Sequence, residues 1–139
     1  MIRRPPRSTR VRSSAASDVY KRQGINEYVE EITYAKTILQ VPLIVSIYGY
    51  SAEEYALVAK KAVEAGADAV ELNVSCPHVK YTGSEIGQNP KLLKDVLCKV
   101  KADVHKPVIV KLSPNVTDIV EIADAVSYTH LTLPTILRV

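Results

Sequence analysis

Glu71-Leu72-Asn73-Val74-Ser75-Cys76-Pro77-His78 sets an amide, a hydroxyl and a thiol directly after a short apolar run. A buried strand that ends this way delivers its polar groups to a pocket, because strand ends and the loops after them are where binding and catalytic groups collect. Downstream, Pro107-Val108-Ile109-Val110-Lys111-Leu112-Ser113-Pro114-Asn115 repeats the arrangement with a lysine at the far end of the run. Between the two lies a helix expected to open at Asn89-Pro90 and to continue through Leu93, Val96, Leu97, Val100 and Val104, a spacing close to 3.6 residues per turn. Two strands that both end in reactive groups imply one shared site.

Upstream the same alternation holds. Ser51-Ala52-Glu53-Glu54 has capping-box spacing, so Ser51 is expected to cap a helix whose apolar stripe is Tyr55, Val58, Ala59, Ala62 and Val63 and whose stop is Gly66. Before it, Leu43-Ile44-Val45-Ser46-Ile47 reads as a strand without polar alternation, as in a parallel sheet covered on both faces. Tyr28, Val29, Ile32, Ala35, Ile38 and Leu39 place a helix over 26–39, with acidic Glu27, Glu30 and Glu31 near its positive end. Strands 69–73 and 107–112, a polar loop over 75–88 and a last helix from Asp118 complete the order. The class is α/β, with strands at spacings suited to right-handed βαβ crossovers.

Ser46, Asn73 and Lys111 each fall at the C-terminal end of an expected strand, the edge where such folds hold ligands. No GxGxxG or GxxxxGK[ST] follows any strand, which argues against a dinucleotide fingerprint or a P-loop. A segment of barrel is the better expectation.

The chain has 139 residues, enough for one ordinary domain, and 47% of them are apolar. Its formal charge of +3 conceals a sharp partition. Residues 1–23 carry seven Lys/Arg and one acid, whereas residues 24–125 carry ten Lys and fourteen acids. All seven arginines lie outside 24–125. The Pro/Ser/Arg-rich stretch 1–23 has no apolar period and reads as a disordered basic arm. It closely resembles translated sequencing-adapter read-through, as does Val126-Ser-Tyr-Thr-His-Leu-Thr-Leu-Pro-Thr at the other end. Three parts are therefore expected: a non-native arm over 1–23, a functional body over 24–125 and a non-native tail over 126–139.

Cys76 and Cys98 come with no CxxC pair and no His-rich partner, so neither a disulfide framework nor a metal site is expected and a reducing cytoplasm fits best. No run approaches the ~20 apolar residues of a membrane span. Asn73-Val74-Ser75 and Asn115-Val116-Thr117 fit the glycosylation sequon and are read as chance, since no secretory signal accompanies them.

As chemistry, Cys76 can act as base, acid or nucleophile, because a thiol with a pKa near ~8.5 is easily moved toward neutrality; the bland reading is a small buried hydrophobe. Cys98, inside a helix, reads as a packing or surface thiol. Asn73 offers a donor and an acceptor on one rigid arm, suited to a pyrimidine or flavin edge; alternatively it bonds its own loop. Lys111 can stabilise negative charge on a reduced cofactor, or snorkel to water, or pair with Glu71. His78 contacts substrate or caps the loop.

Glu-Leu-Asn-Val-Ser-Cys-Pro-His-Val-Lys over 71–80, Gly87-Gln88-Asn89-Pro90, and Val-Lys-Leu-Ser-Pro-Asn-Val-Thr-Asp-Ile-Val-Glu-Ile-Ala over 110–123 together resemble class 1 dihydroorotate dehydrogenases, the 1B branch above all. The resemblance covers residues 24–125. It implies an internal piece, about three βα units, of an FMN-bearing (β/α)8 barrel that oxidises dihydroorotate to orotate in de novo pyrimidine synthesis. It implies that Cys76 is the catalytic base at C5 of dihydroorotate, that Asn73 contacts both substrate and FMN, that Lys111 lies at the flavin N1/O2 edge, that Ser46 contacts FMN, and that 79–86 is a lid. His78 stands where an asparagine that contacts orotate is more usual. Ser-Cys-Pro-His also resembles the flavin domain of dihydropyrimidine dehydrogenases, which act on uracil and thymine, whereas Val79-Lys80 favours the dihydroorotate enzymes. Relatives of the 1B branch pass electrons to NAD through a partner carrying FAD and an iron–sulfur cluster, and the full-length parent is expected to be an oligomer. A whole barrel needs about 250 residues, so the isolated piece is expected to be inactive. The rival reading is a non-enzymatic module that binds nucleic acid through Arg3, Arg4, Arg7, Arg10 and Arg12; with the arm set apart, no nucleic-acid partner is expected.

Overall fold

The computed structural model describes residues 13–75 and 83–127, with side chains from residue 24 onward except at 83–85. In chain order these form α1 (Ser13–Ile38), β1 (Ile44–Ile47), α2 (Ala52–Glu64), β2 (Ala69–Asn73), α3 (Gly83–Gln88), α4 (Pro90–Asp103), β3 (Val108–Lys111) and α5 (Ile119–Ser127). Capping residues explain where the helices begin. The Ser51 hydroxyl accepts from the Glu54 amide at 3.2 Å, and the Glu54 carboxylate reaches back to the Tyr50 amide at 2.7 Å, so the expected box closes on the residue before the cap. Asn89 Oδ1 accepts from the amides of Lys91 and Leu92 at 3.0 and 3.3 Å, with Pro90 in the first turn. Asp118 does the same for α5, accepting from Val120 at 2.8 Å and Glu121 at 3.3 Å. At the far end of α2, Gly66 takes a φ of 111°, a left-handed turn that favours glycine.

The three strands form one parallel sheet in the order β1-β2-β3. Ser46 pairs with Glu71, Glu71 with Ile109, and Asn73 with Lys111. Sequential parallel neighbours joined by right-handed crossovers put their helices on the same side of the sheet, and α2 packs against both β1 and β2 while α4 packs on α2 and α5. The core lies on that side: Val45, Ile47, Val70, Leu72 and Val108 from the strands meet Tyr55, Val58, Ala59, Ala62, Leu93, Val96, Leu97 and Val100 from α2 and α4. Burying each large aliphatic group contributes about 1.5–3 kcal/mol. Helices on one side of strands in sequential order describe an arc of (β/α)8 barrel, with no reversal of strand order as in a doubly wound sheet.

Several sequence-based expectations change in detail. The strands are covered on one face only: Ile44 and Ile109 are 53% and 42% exposed on the opposite face, because the strands that would close a barrel over them are not among the described residues. The loop expected over 75–88 contains the short helix α3. Residues 13–23, read as part of a disordered arm, have helical backbone up to a break at Gly24, where φ is 75° and ψ is 170°; Ala15, Ala16, Lys21, Arg22 and Gln23 are strong helix formers. The last helix runs two residues past the boundary expected at 125, and Val126 is buried. Residues 1–12 and 128–139 lie outside the described residues.

Candidate functional site

Alternation along each strand turns Ser46, Glu71, Asn73, Ile109 and Lys111 to the face away from α2 and α4. They stand in two rows. Ser46, Glu71 and Ile109 form the lower one, and the Asn73–Lys111 pair forms the upper one at the C-terminal rim. The register thus brings together the three strand-end residues singled out from the sequence. Cys76, His78 and residues 79–82 of the expected lid lie outside the described residues.

Glu71 links the rows. Its Oε1 accepts the Ser46 hydroxyl at 2.7 Å and lies 3.6 Å from the Lys111 ammonium. The pairing with Glu71 was one of the readings open for Lys111, and it is the one found here. It is a long contact between partly exposed groups, worth about 0.2–1 kcal/mol, so an anionic ligand can compete for the ammonium. The Ser46 hydrogen bond is short and charge-assisted, hence firmer.

Asn73 is divided between two tasks. Its Oδ1 accepts from the Ser75 amide at 3.2 Å and the Ser75 hydroxyl at 2.8 Å, the loop-bonding alternative considered for it. That leaves the Nδ2 donors without a partner among the described residues. The end of β2 is held from behind by Tyr55, fully buried, whose hydroxyl donates to the Asn73 carbonyl at 3.0 Å. The end of β1 is held by Tyr28, whose hydroxyl donates to the Ser46 carbonyl at 3.1 Å. Burial, aided by the Glu31 charge, pushes the Tyr28 phenol up to about 12, so it stays a donor throughout the physiological range. Neither tyrosine hydroxyl was legible as part of the site, since in the sequence each looks like one more apolar residue of a helical stripe.

The loop leaving β2 is tied down by close packing. A Cβ at Gly87 would collide with the Val74 carbonyl, so only glycine lets α3 lie this close to the strand exit. Gln88 Nε2 then donates to the Asn115 carbonyl at 3.2 Å, tying α3 to the loop after β3. A cleft of about 240 Å³ beside this contact is lined by Gln88, Asn115, Asp118 and Glu121 among others; two acids and no cation make it a poor seat for an anion. Cys98 is exposed. Among the described residues no cluster of three or more His, Cys, Asp or Glu is placed to hold a metal ion, and no helix is long and apolar enough to cross a membrane.

This sheet face therefore presents a hydroxyl whose proton is committed to Glu71 and, one row above it, an amide donor and an ammonium. That set suits a flat heterocycle whose edge mixes a donor with acceptors and carries negative charge. Comparison with known proteins gives the family. A stretch of 102 residues is 48% identical to the protein named dihydroorotate dehydrogenase B (NAD(+)), catalytic subunit, of Thermoplasma volcanium, covering 73% of this chain and 34% of that protein. The proteins of the same name from Methanocaldococcus jannaschii and Pyrococcus horikoshii are 54% identical over 106 residues and 48% over 98, covering 74% and 70% of this chain and 34% and 30% of those proteins. The chain spans about a third of the length of these relatives. The family model described as dihydroorotate dehydrogenase matches residues 6–138, and by that match the chain belongs to the dihydroorotate dehydrogenase family.

Proposed function

We propose that this chain is the central part of a catalytic subunit that oxidises dihydroorotate to orotate with FMN, in pyrimidine biosynthesis. The family implies a flavin, and FMN is the flavin proposed here. The observation that supports it most is the register, which sets Asn73 and Lys111 side by side and Ser46 one row below them on the same sheet face. A flavin's pyrimidine edge carries an N–H between two carbonyl oxygens and gains negative charge on reduction. An acceptor at Ser46, donors at Asn73 and a cation at Lys111 complement it.

When bound, FMN would supply the hydride acceptor for C6 of dihydroorotate, and Ser46, Asn73 and Lys111 would hold its pyrimidine edge. The chain's own residues do the rest. Cys76, three residues beyond the strand end at Asn73, takes the proton from C5, the Asn73 amide orients substrate and cofactor, and His78 contacts the substrate's polar edge. The relatives' name, catalytic subunit, implies a separate subunit to which electrons pass; a partner carrying FAD and an iron–sulfur cluster is proposed for this one, together with a cytoplasmic location and an oligomeric full-length parent.

The test uses residues 24–125 grafted in place of the matching segment of the full-length Methanocaldococcus jannaschii relative. Loss of flavin absorbance on mixing with dihydroorotate under anaerobic conditions is expected. A Cys76→Ser variant should bind FMN normally and react slower by about 10²-fold or more, the usual worth of a positioned base. Bleaching by dihydrouracil in place of dihydroorotate would overturn the substrate assignment.

A further inference from the structure

Glu71 takes no part in the proposed chemistry, yet its side chain touches polar residues of both flanking strands. Its Oε1 accepts from Ser46 at 2.7 Å and faces Lys111 Nζ at 3.6 Å. It is 27% exposed, on a sheet face that also carries Ile44, Ile109, Ser46, Asn73 and Lys111. Neither pairing is needed for the fold, since the register is already set by backbone hydrogen bonds and by the apolar residues on the other face.

We propose that Glu71 is a positioning residue that sets the hydrogen-bonding sense of Ser46 and the resting position of Lys111 for the cofactor. The inference rests on the flavin reading. A serine hydroxyl has one proton and two lone pairs. With the proton held by Glu71, Ser46 can only accept from a ligand, so it selects an N–H or O–H on the cofactor edge. Lys111, held by the weaker contact to the same oxygen, is parked low on the face, one row beneath the rim. It rises when an anionic edge replaces the carboxylate. Removing the charge therefore affects two contacts on opposite sides of β2 at once.

In the grafted protein, FMN affinity measured by quenching of flavin fluorescence should weaken about tenfold for Glu71→Gln, the worth of one or two hydrogen bonds. In a background that already carries Ser46→Ala and Lys111→Met, the same substitution should change affinity by less than about twofold, because residues that act through one another are not additive. Equal factors in both backgrounds, or no weakening in the first, would overturn the proposal. Should Glu71→Gln lower the melting temperature of the apoprotein enough to confuse the comparison, Glu71→Asp replaces it; this keeps the charge, shortens the reach by one methylene and should show the same dependence on background. An unsubstituted graft that takes up no FMN would instead refute the flavin reading and the role of Glu71 with it.

Discussion

Two tyrosines hold the ends of β1 and β2, and one of them gives a clean test. Tyr55 is fully buried and its hydroxyl meets the Asn73 carbonyl. Tyr55→Phe should cost about 1 kcal/mol, the net worth of one hydrogen bond with the ring packing kept, readable as a lower midpoint in urea. Asn73, Lys111 and Ser46 were legible in the sequence because each falls near the C-terminal end of an expected strand. Which of their atoms remain available was not. The commitment of Asn73 Oδ1 to Ser75, and of the Ser46 proton to Glu71, follows from loop geometry and cross-strand register, and local sequence carries neither. Leu72, fully buried on the core face of β2, should cost about 2–5 kcal/mol on replacement by Ala.

Helix boundaries were legible because caps are local chemistry: Ser51, Asn89 and Asp118 each stand where the chain turns into a helix. Ser51→Ala should lower stability by about 1 kcal/mol. The short helix α3 was hidden, since Gly-Ser-Glu-Ile-Gly-Gln has poor helix propensity and holds its place by packing on Val74. Contact between helices also leaves a pH signature. Lys99 on α4 donates to Glu53 on α2, and this bond, with help from local hydrogen bonds, lowers the Glu53 carboxyl from 4.5 to about 2. A depressed carboxyl stabilises the fold above its unfolded value and ceases to do so as pH falls through the folded one. The contribution is therefore expected in full above about pH 4.5 and lost towards pH 2. Lys99→Gln should lower the melting temperature slightly above about pH 4.5 and converge with the parent towards pH 2, which flattens the acid limb of the profile.

For the molecule as a whole, the order of parallel strands and the single helical layer were legible from periodicity and spacing. The bare sheet face was not, because an apolar strand reads the same whether one face or both are covered. Ile44 and Ile109 remain on that face, and among the described residues β1 and β3 have open outer edges, a combination that favours association between chains. The 139-residue chain alone should sediment as oligomers, and Ile44→Lys with Ile109→Lys should shift it toward monomer. The same face is where the account seats the cofactor. A crystal structure of the graft with FMN is the most direct test: the isoalloxazine should lie across the ends of β1, β2 and β3 with Lys111 Nζ within about 3 Å of its pyrimidine edge. A flavin seated on the helical side, or at the N-terminal ends of the strands, would contradict it.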